Sequence, residues 1–165
     1  MSAPTVPNLL RDHLADLAQN DSRLDGREQF GARELKLETG ILPRAEGSAR
    51  VTMGNTIVLA GVKFQLMTPY PDRPNQGGLM CSCEVRPIAG RHWEAGPPSP
   101  EAIELGRVVD RGIRESGCID VDDLCISPGE KAWQVILDLH AISEDGNLFD
   151  AFALAGIAAL RSATV

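Results

Sequence analysis

Three arginines, Arg107, Arg111 and Arg114, recur four and three residues apart in a segment that has the pattern of a helix. Residues at these spacings lie on one face of an α-helix, so the three guanidiniums would share a face. A guanidinium presents several N–H donors in a planar fork, which suits the oxygens of a phosphate group. The same pattern is also typical of a solvated face whose arginines pair with Glu104 and Asp110. The residues alone leave both interpretations open, an anion-binding face and a solvent-facing one.

Other side chains capable of chemistry form weaker candidates. Asp138 and His140 would share one face of a predicted strand, either as an acid-base pair or as ordinary solvated residues. Cys81 and Cys83 have the spacing of same-face strand neighbours rather than that of a zinc knuckle. The histidines lie far apart in the chain, and it contains no glycine-rich phosphate loop. We therefore predict no catalytic residue, no metal site and no bound cofactor.

Composition limits the class of protein. The chain has 165 residues, of which 43% are hydrophobic, enough for one domain with a largely aliphatic core. A formal net charge of -7 argues against binding nucleic acid by bulk charge, so such binding needs a local basic patch. Four cysteines without a signal segment indicate a reducing environment, and we predict a cytoplasmic location. No apolar run approaches the ~20 residues of a membrane span, which predicts no membrane role.

The segment that carries the arginines, residues 99–117, has well-marked helix ends. Ser99 can cap the helix, Pro100 suits its first turn, and Gly117 offers a left-handed stop. The other side of this helix is predicted to pack on a core through Ala102, Leu105, Val109, Gly112 and Ser116, flanked by Val108 and Ile113. The helix would then present one face to the core and the arginines to the outside.

The remaining signals predict an α+β fold. Two β-rich runs on either side of Gly54-Asn55 predict a hairpin, and residues 131–143 form an apolar run typical of a central strand. Residues 68–78 contain three prolines and two glycines and are predicted to form an exposed loop. Asp150 is predicted to cap a last helix that is apolar nearly all round and should therefore be buried.

Upstream of the hairpin the chain divides into two parts. Residues 1–22 are predicted to be a loose tail, residues 1–7, followed by a short helix. Residues 23–165 are predicted to form the domain. At its start, Leu35 and Leu37 alternate with charged residues, as expected of a half-buried strand.

Several motifs resemble those of the ribonuclease PH-like subunits of the RNA exosome. They are RLDGR at 23–27, AEGSARVTMGNTIVLAGVK at 45–63, PYPDRPNQG at 69–77, EAGPPSPEAIELGRVVDRGIRESGCID at 94–120 and DGNLFDA at 145–151. They occur in the order found in that family and cover the chain from Arg23 onward. Within the family the chain is most similar to the non-catalytic ring subunit of the archaeal exosome.

This resemblance implies a ribonuclease PH-like fold of the ribosomal protein S5 domain 2-like type. Family members usually carry further strands and helices, so we expect the second half of the fold to be incomplete and the chain to be a fragment, a truncated product or a split protein. The implied partners are a catalytic ribonuclease PH-like exosome subunit, which alternates with this one in a hexameric ring, single-stranded RNA, and the exosome cap subunits.

The resemblance also implies that the subunit is inactive. In catalytic members, the strand that matches residues 135–142 is followed by a glycine, a serine or threonine and an arginine that hold the attacking phosphate. The corresponding residues here are Gly146, Asn147 and Leu148. Leu148 has no donor for a phosphate oxygen, so we predict that the chain is not itself an enzyme.

For the arginine helix, the resemblance favours the anion-binding interpretation. The matching helix of the family faces the catalytic partner and helps to hold the RNA 3′ end, a role that fits Arg107 and Arg111 and, less directly, Arg114. We predict a non-catalytic, RNA-binding and scaffolding subunit that supports 3′-to-5′ RNA degradation by its partner, with salt-sensitive, sequence-tolerant binding. Two alternatives remain: the chain is itself a phosphorolytic 3′-exoribonuclease, or it is a purely structural ring subunit without RNA contact.

Overall fold

A computed structural model describes residues 8–164 of the chain. The chain divides into two compact units, Met1–Arg33 and Glu34–Val165. In chain order the elements are α1 Asn8–Gln19, β1 Leu35–Thr39, β2 Gly47–Met53, β3 Thr56–Met67, β4 Gly78–Val85, α2 Pro100–Glu115, β5 Cys125–Ser127, β6 Lys131–Ser143 and α3 Leu148–Ser162. The tail predicted for residues 1–7 lies outside the described residues. Each helix in the described part is too short or too polar to span a bilayer.

The first unit contains α1 and the turns that follow it. No residue of α1 is buried. After the helix, the Arg27 guanidinium donates to the Asp25 carboxylate at 2.6 Å and to the Gly31 carbonyl at 2.7 Å. The hydrogen bond from Arg27 lowers the pKa of Asp25. These contacts close the turns locally.

The second unit is built on one mixed sheet with the strand order β1-β2-β3-β6-β4, and β5 pairs with the start of β6. β4 runs parallel to β6, and the other pairs are antiparallel. The predicted hairpin is confirmed: Met53 pairs with Thr56 across the Gly54-Asn55 turn, where Gly54 has a φ of 58°. The predicted central position of β6 is also confirmed, and the class is α+β.

One face of the sheet forms the core with α2 and α3. In β6, every second residue from Val135 to Ala141 is buried, and on α3 Phe152 is fully buried against this layer. The alternate residues of β6, including Asp138 and His140, lie on the opposite face and are partly exposed. The period of two in β6 therefore separates the core from the polar candidates.

The last helix differs from its prediction in two ways. α3 begins at Leu148, and its N-terminal flanking residue is Asn147, with a left-handed φ of 62°. Asp150 is therefore in the first turn rather than at the cap, and it accepts a hydrogen bond from the Asn147 amide at 2.8 Å. The helix is also buried on one face only, because Phe149, Leu154 and Ile157 remain 37–42% exposed.

The first strand forms at the predicted place, but the prediction that it is half-buried is wrong. Leu35 and Leu37 are 52% and 53% exposed, because β1 is an edge strand that pairs with β2 alone within residues 8–164. The more shielded residue is Glu38, which accepts hydrogen bonds from the guanidinium of Arg50 on β2. This pairing lowers the pKa of Glu38.

A buried hydroxyl connects the hairpin to the turn before α3. Thr56 is fully buried. Its Oγ1 accepts a hydrogen bond from the Asp145 N–H at 3.0 Å and donates to the Gly146 carbonyl at 2.8 Å. The turn that leads into α3 is thereby held by a residue about 90 positions earlier in the chain.

Candidate functional site

The helix that carries the arginines has the predicted ends. The Ser99 hydroxyl accepts a hydrogen bond from the Ala102 N–H at 3.2 Å, and Pro100 is in the first turn. Gly117, just beyond the helix, has a left-handed φ of 64°. A side-chain cap and a glycine stop thus set the length of α2 and the positions of its arginines.

The buried face of α2 is rotated from the predicted one. It consists of Ala102, Leu105, Gly106, Val109 and Ile113. Gly112 and Ser116, predicted on this face, and Val108, predicted beside it, are exposed. The reason is close packing on β4: a Cβ atom added at Gly106 would lie 3.2 Å from the Cβ of Cys83. The helix therefore turns its glycine toward the strand, and Arg107 and Arg111 lie outside its buried face.

Arg107 and Arg111 are both exposed and lie four residues apart on one face of α2. Within residues 8–164 neither guanidinium has a hydrogen bond or an ion pair. The intrahelical pairing with Glu104 that a solvated face would favour does not form. Two cationic groups with unused donors therefore stand side by side.

Arg114 has different surroundings. Its guanidinium donates to both carboxylate oxygens of Asp110, at 2.7 and 3.1 Å, and to the backbone carbonyl of Leu79 on β4 at 3.0 Å. The hydrogen bonds that Arg114 donates to the Asp110 carboxylate raise the pKa of Arg114. Arg114 thus braces α2 against β4, whereas Arg107 and Arg111 keep their donors available.

The two available arginines line a hollow of about 420 Å³ between α2 and β4, here called the β4–α2 groove. Asp110 contributes from the helix, and Cys81 and Ser82 contribute from the strand. Among the described strands, β4 is the last in the sheet and pairs with β6 alone, so the groove follows an edge of the sheet. Its size and its cationic side suit a phosphate-bearing chain.

The thiols in this groove are not nucleophiles at neutral pH. Burial, with a contribution from the Asp110 carboxylate, raises the pKa of Cys81 to about 12. Burial likewise raises the pKa of Cys83 to about 12. A thiol, rather than the reactive thiolate, is therefore present at both positions. Among the described residues there is no cluster of three or more His, Cys, Asp or Glu side chains that could hold a metal ion.

Asp138 and His140 belong to a polar network on the outer face of the sheet. His140 Nε2 lies 2.9 Å from Asp138 Oδ2, and the Ser82 hydroxyl donates to Asp138 Oδ1 at 2.8 Å. Glu84 lies 3.9 Å from His140 Nδ1 and accepts a hydrogen bond from Arg86, which lowers the pKa of Glu84. Because the hydroxyl contacts the carboxylate and not the imidazole, no activated nucleophile results. Sequence reasoning missed Ser82 and Glu84, since only the pairing of β4 with β6 brings them to this site.

The resemblance places the phosphate-binding positions of catalytic members at Gly146, Asn147 and Leu148, which lie just before and at the start of α3. Leu148 is 7% exposed and belongs to the core. The Asn147 side-chain amide donates a hydrogen bond to the Asp150 carboxylate. An apolar side chain that points into the core offers nothing to a phosphate oxygen.

Residues 31–165 match the ribonuclease PH family model, described as 3′ exoribonuclease family, domain 1. The match covers well over half of the chain, and the chain belongs to this family. The predicted ribonuclease PH-like α+β fold is thereby confirmed.

Similar proteins come from archaeal exosomes. The exosome complex component Rrp42 of Methanosarcina mazei is 51% identical over 160 residues, which are 97% of this chain and 60% of that protein. A structure of the Archaeoglobus fulgidus exosome with RNA bound to the active site matches with a TM-score of 0.89 and 46% identity over 94% of this chain and 61% of that one. An archaeal exosome core matches with a TM-score of 0.77 and 43% identity, covering 93% and 57%. The chain therefore spans about 60% of the length of these relatives.

Proposed function

We propose that this chain acts as a non-catalytic, RNA-binding and scaffolding subunit of an exosome-type ring, supporting 3′-to-5′ RNA degradation by a catalytic ribonuclease PH-like partner. The observation that carries this proposal is the pair Arg107 and Arg111, exposed, without ion pairs among the described residues, and lining one groove. The similar proteins support it, because they are exosome components and one such complex holds RNA at its active site.

The chemistry of the groove suits the backbone of RNA rather than its bases. Each guanidinium can donate two parallel hydrogen bonds to a phosphate, and such contacts carry no sequence information. Since phosphate contacts release bound counterions, affinity should fall steeply as salt rises. Arg114 supports RNA binding indirectly, because its hydrogen bonds to Asp110 and to the Leu79 carbonyl hold α2 in place beside β4.

Three features support a non-catalytic role for this chain. Leu148, where the family's phosphate-binding arginine would stand, is buried in the core. The groove thiols Cys81 and Cys83 are protonated, and the Ser82 hydroxyl is bonded to a carboxylate rather than to a base. The attacking phosphate and the acid-base groups would accordingly come from the partner subunit.

Assembly in a ring with the catalytic partner and with cap subunits belongs to the same proposal. Ile103 and Val108, on either side of the α2 arginines, are 52% and 49% exposed, which suits a helix that meets another protein as well as RNA. We place the ring-forming domain at residues 23–165, of which the family match covers residues 31–165, and the complex in the cytoplasm.

The test is a double substitution, Arg107→Ala with Arg111→Ala, in the full chain. Binding of a labelled oligo(A) strand should weaken at least about tenfold. The slope of log affinity against log salt should fall by about 1.4, or ~0.7 for each lost phosphate contact on a single strand. Phosphate-dependent RNA shortening by the assembly with the catalytic partner should slow in parallel.

The matched control is Arg44→Ala with Arg91→Ala, which removes the same charge from two exposed arginines that do not line the β4–α2 groove. If both double variants behave alike, the arginine pair does not bind RNA and the chain is a structural subunit. Release of nucleoside diphosphates from RNA by the purified chain alone would instead show that it is an enzyme in its own right.

A further inference from the structure

A second hollow, of about 280 Å³, lies at the start of β4. Its polar lining comes from Tyr70, Arg73 and Gln76 of the loop before β4, from Gln134 on β6, and from Arg114. We call it the Tyr70 hollow. None of its loop residues has a part in the function proposed above.

The loop that carries Tyr70 is held in place by hydrogen bonds. The Arg73 N–H donates to the Tyr70 carbonyl at 2.9 Å, and the Gln76 N–H donates to the Arg73 carbonyl at 3.2 Å. The Gly77 N–H donates to the Val121 carbonyl at 2.8 Å, and the Pro74 carbonyl accepts from Gly129, also at 2.8 Å. Successive turns tied at two points to the chain before β6 make a preorganised surface.

Gly77 shows how closely this loop is packed. A Cβ atom at this position would lie 2.4 Å from Leu124 Cβ and 2.4 Å from the Trp133 carbonyl oxygen. No side chain fits there, so the glycine lets the loop sit directly on the strands. The loop is exposed, as its prolines and glycines predicted, and yet it has a defined position.

The hollow presents an aromatic ring, a guanidinium and two amides, which together suit the base, the phosphate and the ribose of a nucleotide. Tyr70 is 64% exposed, and its ring can stack on a base. The side chain of Arg73 is 70% exposed, and the nearest carboxylate, of Asp72, lies at 4.0 Å, so its donors can reach a phosphate. The amides of Gln76 and Gln134 add donors and acceptors for a base edge or a ribose.

The Tyr70 hollow adjoins the β4–α2 groove. Arg114, which lines the hollow, is paired with Asp110, which lines the groove. On β4 the hollow is lined by Gly78 and Leu79 and the groove by residues from Cys81 onward, which places their centres about 10 Å apart along the strand. A polymer that occupies one of them can continue into the other.

We propose that the Tyr70 hollow binds one nucleotide of the RNA strand held by Arg107 and Arg111, with its base stacked on Tyr70 and its phosphate bound by Arg73. This inference rests on the proposed function, because the ligand is the same strand. Stacking tolerates any base, since every base has a π-face, so the subsite adds affinity with little sequence preference.

Tyr70 is the only tyrosine of the chain, which provides a direct probe. The full chain made with 3-fluorotyrosine has one fluorine resonance, from this ring. Titration with oligo(A) should shift that resonance with the same midpoint as the binding curve measured by anisotropy. An abasic ribose-phosphate oligomer of equal length should bind through its phosphates and leave the resonance nearly unmoved.

Substitutions give a second readout. Tyr70→Leu, which keeps an apolar side chain but removes the ring, should weaken oligo(A) binding about tenfold, within the range for one stacked base. Tyr70→Phe should stay within about twofold of the parent because it keeps the π-face. Arg73→Ala should lower the salt slope by about 0.7. Arg11→Ala should not change it, although Arg11 is also 70% exposed and also stands beside an aspartate.

The outcomes separate this inference from the function on which it rests. If oligo(A) binds through Arg107 and Arg111 while the Tyr70 resonance stays still and Tyr70→Leu binds normally, the subsite is wrong and the proposed function stands. If the resonance moves but the Arg107 and Arg111 substitutions change nothing, the hollow binds RNA and the groove does not. If oligo(A) does not bind at all, both are overturned.

Discussion

The helices α2 and α3 pack on the same face of one sheet, but they differ in how they begin and in which residues they bury and expose. α2 begins at a side-chain cap, whereas α3 begins at a left-handed asparagine without a capping hydrogen bond to the backbone. The inner face of α3 carries Phe152, the bulkiest fully buried side chain, and a run of alanines. The outer face of α2 carries arginines with available donors. Stability is thus concentrated inside α3 and binding chemistry outside α2.

This contrast explains why Arg107 and Arg111 are available to bind a ligand. A helix whose packing, cap and brace already hold it in place does not need Arg107 and Arg111 for its own stability. Their charge is therefore free to act on a partner, and substitutions should affect folding and binding separately.

The largest effect on folding is expected inside α3. Phe152→Ala should lower the free energy of unfolding by about 4 kcal/mol, because it leaves a cavity at a fully buried site. Phe149→Ala, at a position 41% exposed on the same helix, should cost less than about 1 kcal/mol. Urea midpoints of the two variants measure the difference. Equal losses would mean that both faces of α3 are covered in solution.

On α2, the double substitution Arg107→Ala with Arg111→Ala should have the opposite effect: it should weaken RNA binding and leave the free energy of unfolding nearly unchanged. The loss of RNA affinity, about tenfold, corresponds to ~1.4 kcal/mol. The free energy of unfolding should change by no more than about 0.5 kcal/mol, since neither side chain has an ion pair among the described residues. Thermal melts beside binding curves make the comparison. A fall in melting temperature equal to that of a core variant would contradict the separation.

The cap of α2 should matter to folding alone. Ser99→Ala should cost about 1 kcal/mol, because the Ala102 N–H loses its acceptor. Ser99→Gly should cost only a few tenths of that, as glycine is well tolerated at a helix cap. Chemical denaturation measures both. If alanine and glycine are equally harmless, the hydroxyl does not set the start of the helix.

Substitution of Arg114 should lower folding stability, as substitution of the Ser99 cap does, rather than RNA affinity, as substitution of Arg107 and Arg111 does. Arg114→Ala should cost about 0.5–1 kcal/mol, from one half-exposed ion pair and one bond to the Leu79 carbonyl. Arg114→Lys keeps the charge but not the fork that spans Asp110 and Leu79, so it should recover only part of this loss. A variant that folds normally and loses RNA affinity would move Arg114 into the group with Arg107 and Arg111.

The smallest effect concerns the thiols and leaves the fold intact. Alkylation of the native chain at pH 8 should modify exposed Cys118 first and Cys81 and Cys83 last. Because the pKa of the last two is raised to about 12, their thiolate fraction should fall about tenfold for each pH unit below that value. Peptide mass spectrometry after timed labelling gives the order. Early labelling of Cys81 would mean that α2 leaves β4 in solution.

Local signals in the sequence were sufficient for much of the fold. The Gly54-Asn55 turn, the length of β6 and both ends of α2 depend on residues a few positions apart, and each was predicted correctly. The resemblance to exosome subunits added the fold type, which the family match confirms.

The remaining features depend on contacts between distant parts of the chain. The buried face of α2 follows from the approach of Gly106 to Cys83, and the contact of Ser82 with Asp138 follows from the parallel pairing of β4 with β6. Alternating residues in β1 could not show that Leu35 lies at an uncovered edge. The role of Arg107 and Arg111 stays a prediction, since only a bound strand or a variant can test it.

The buried hydroxyl of Thr56 has a consequence for how the molecule opens. The amide of Asp145 lies in a turn, where backbone protons usually exchange rapidly with solvent, and yet it donates to an oxygen in the interior. Deuterium can reach that proton only when the hairpin separates from the turn before α3. We therefore expect this amide to exchange more slowly than an ordinary turn amide, so that a single residue reports the separation of the hairpin from the turn before α3.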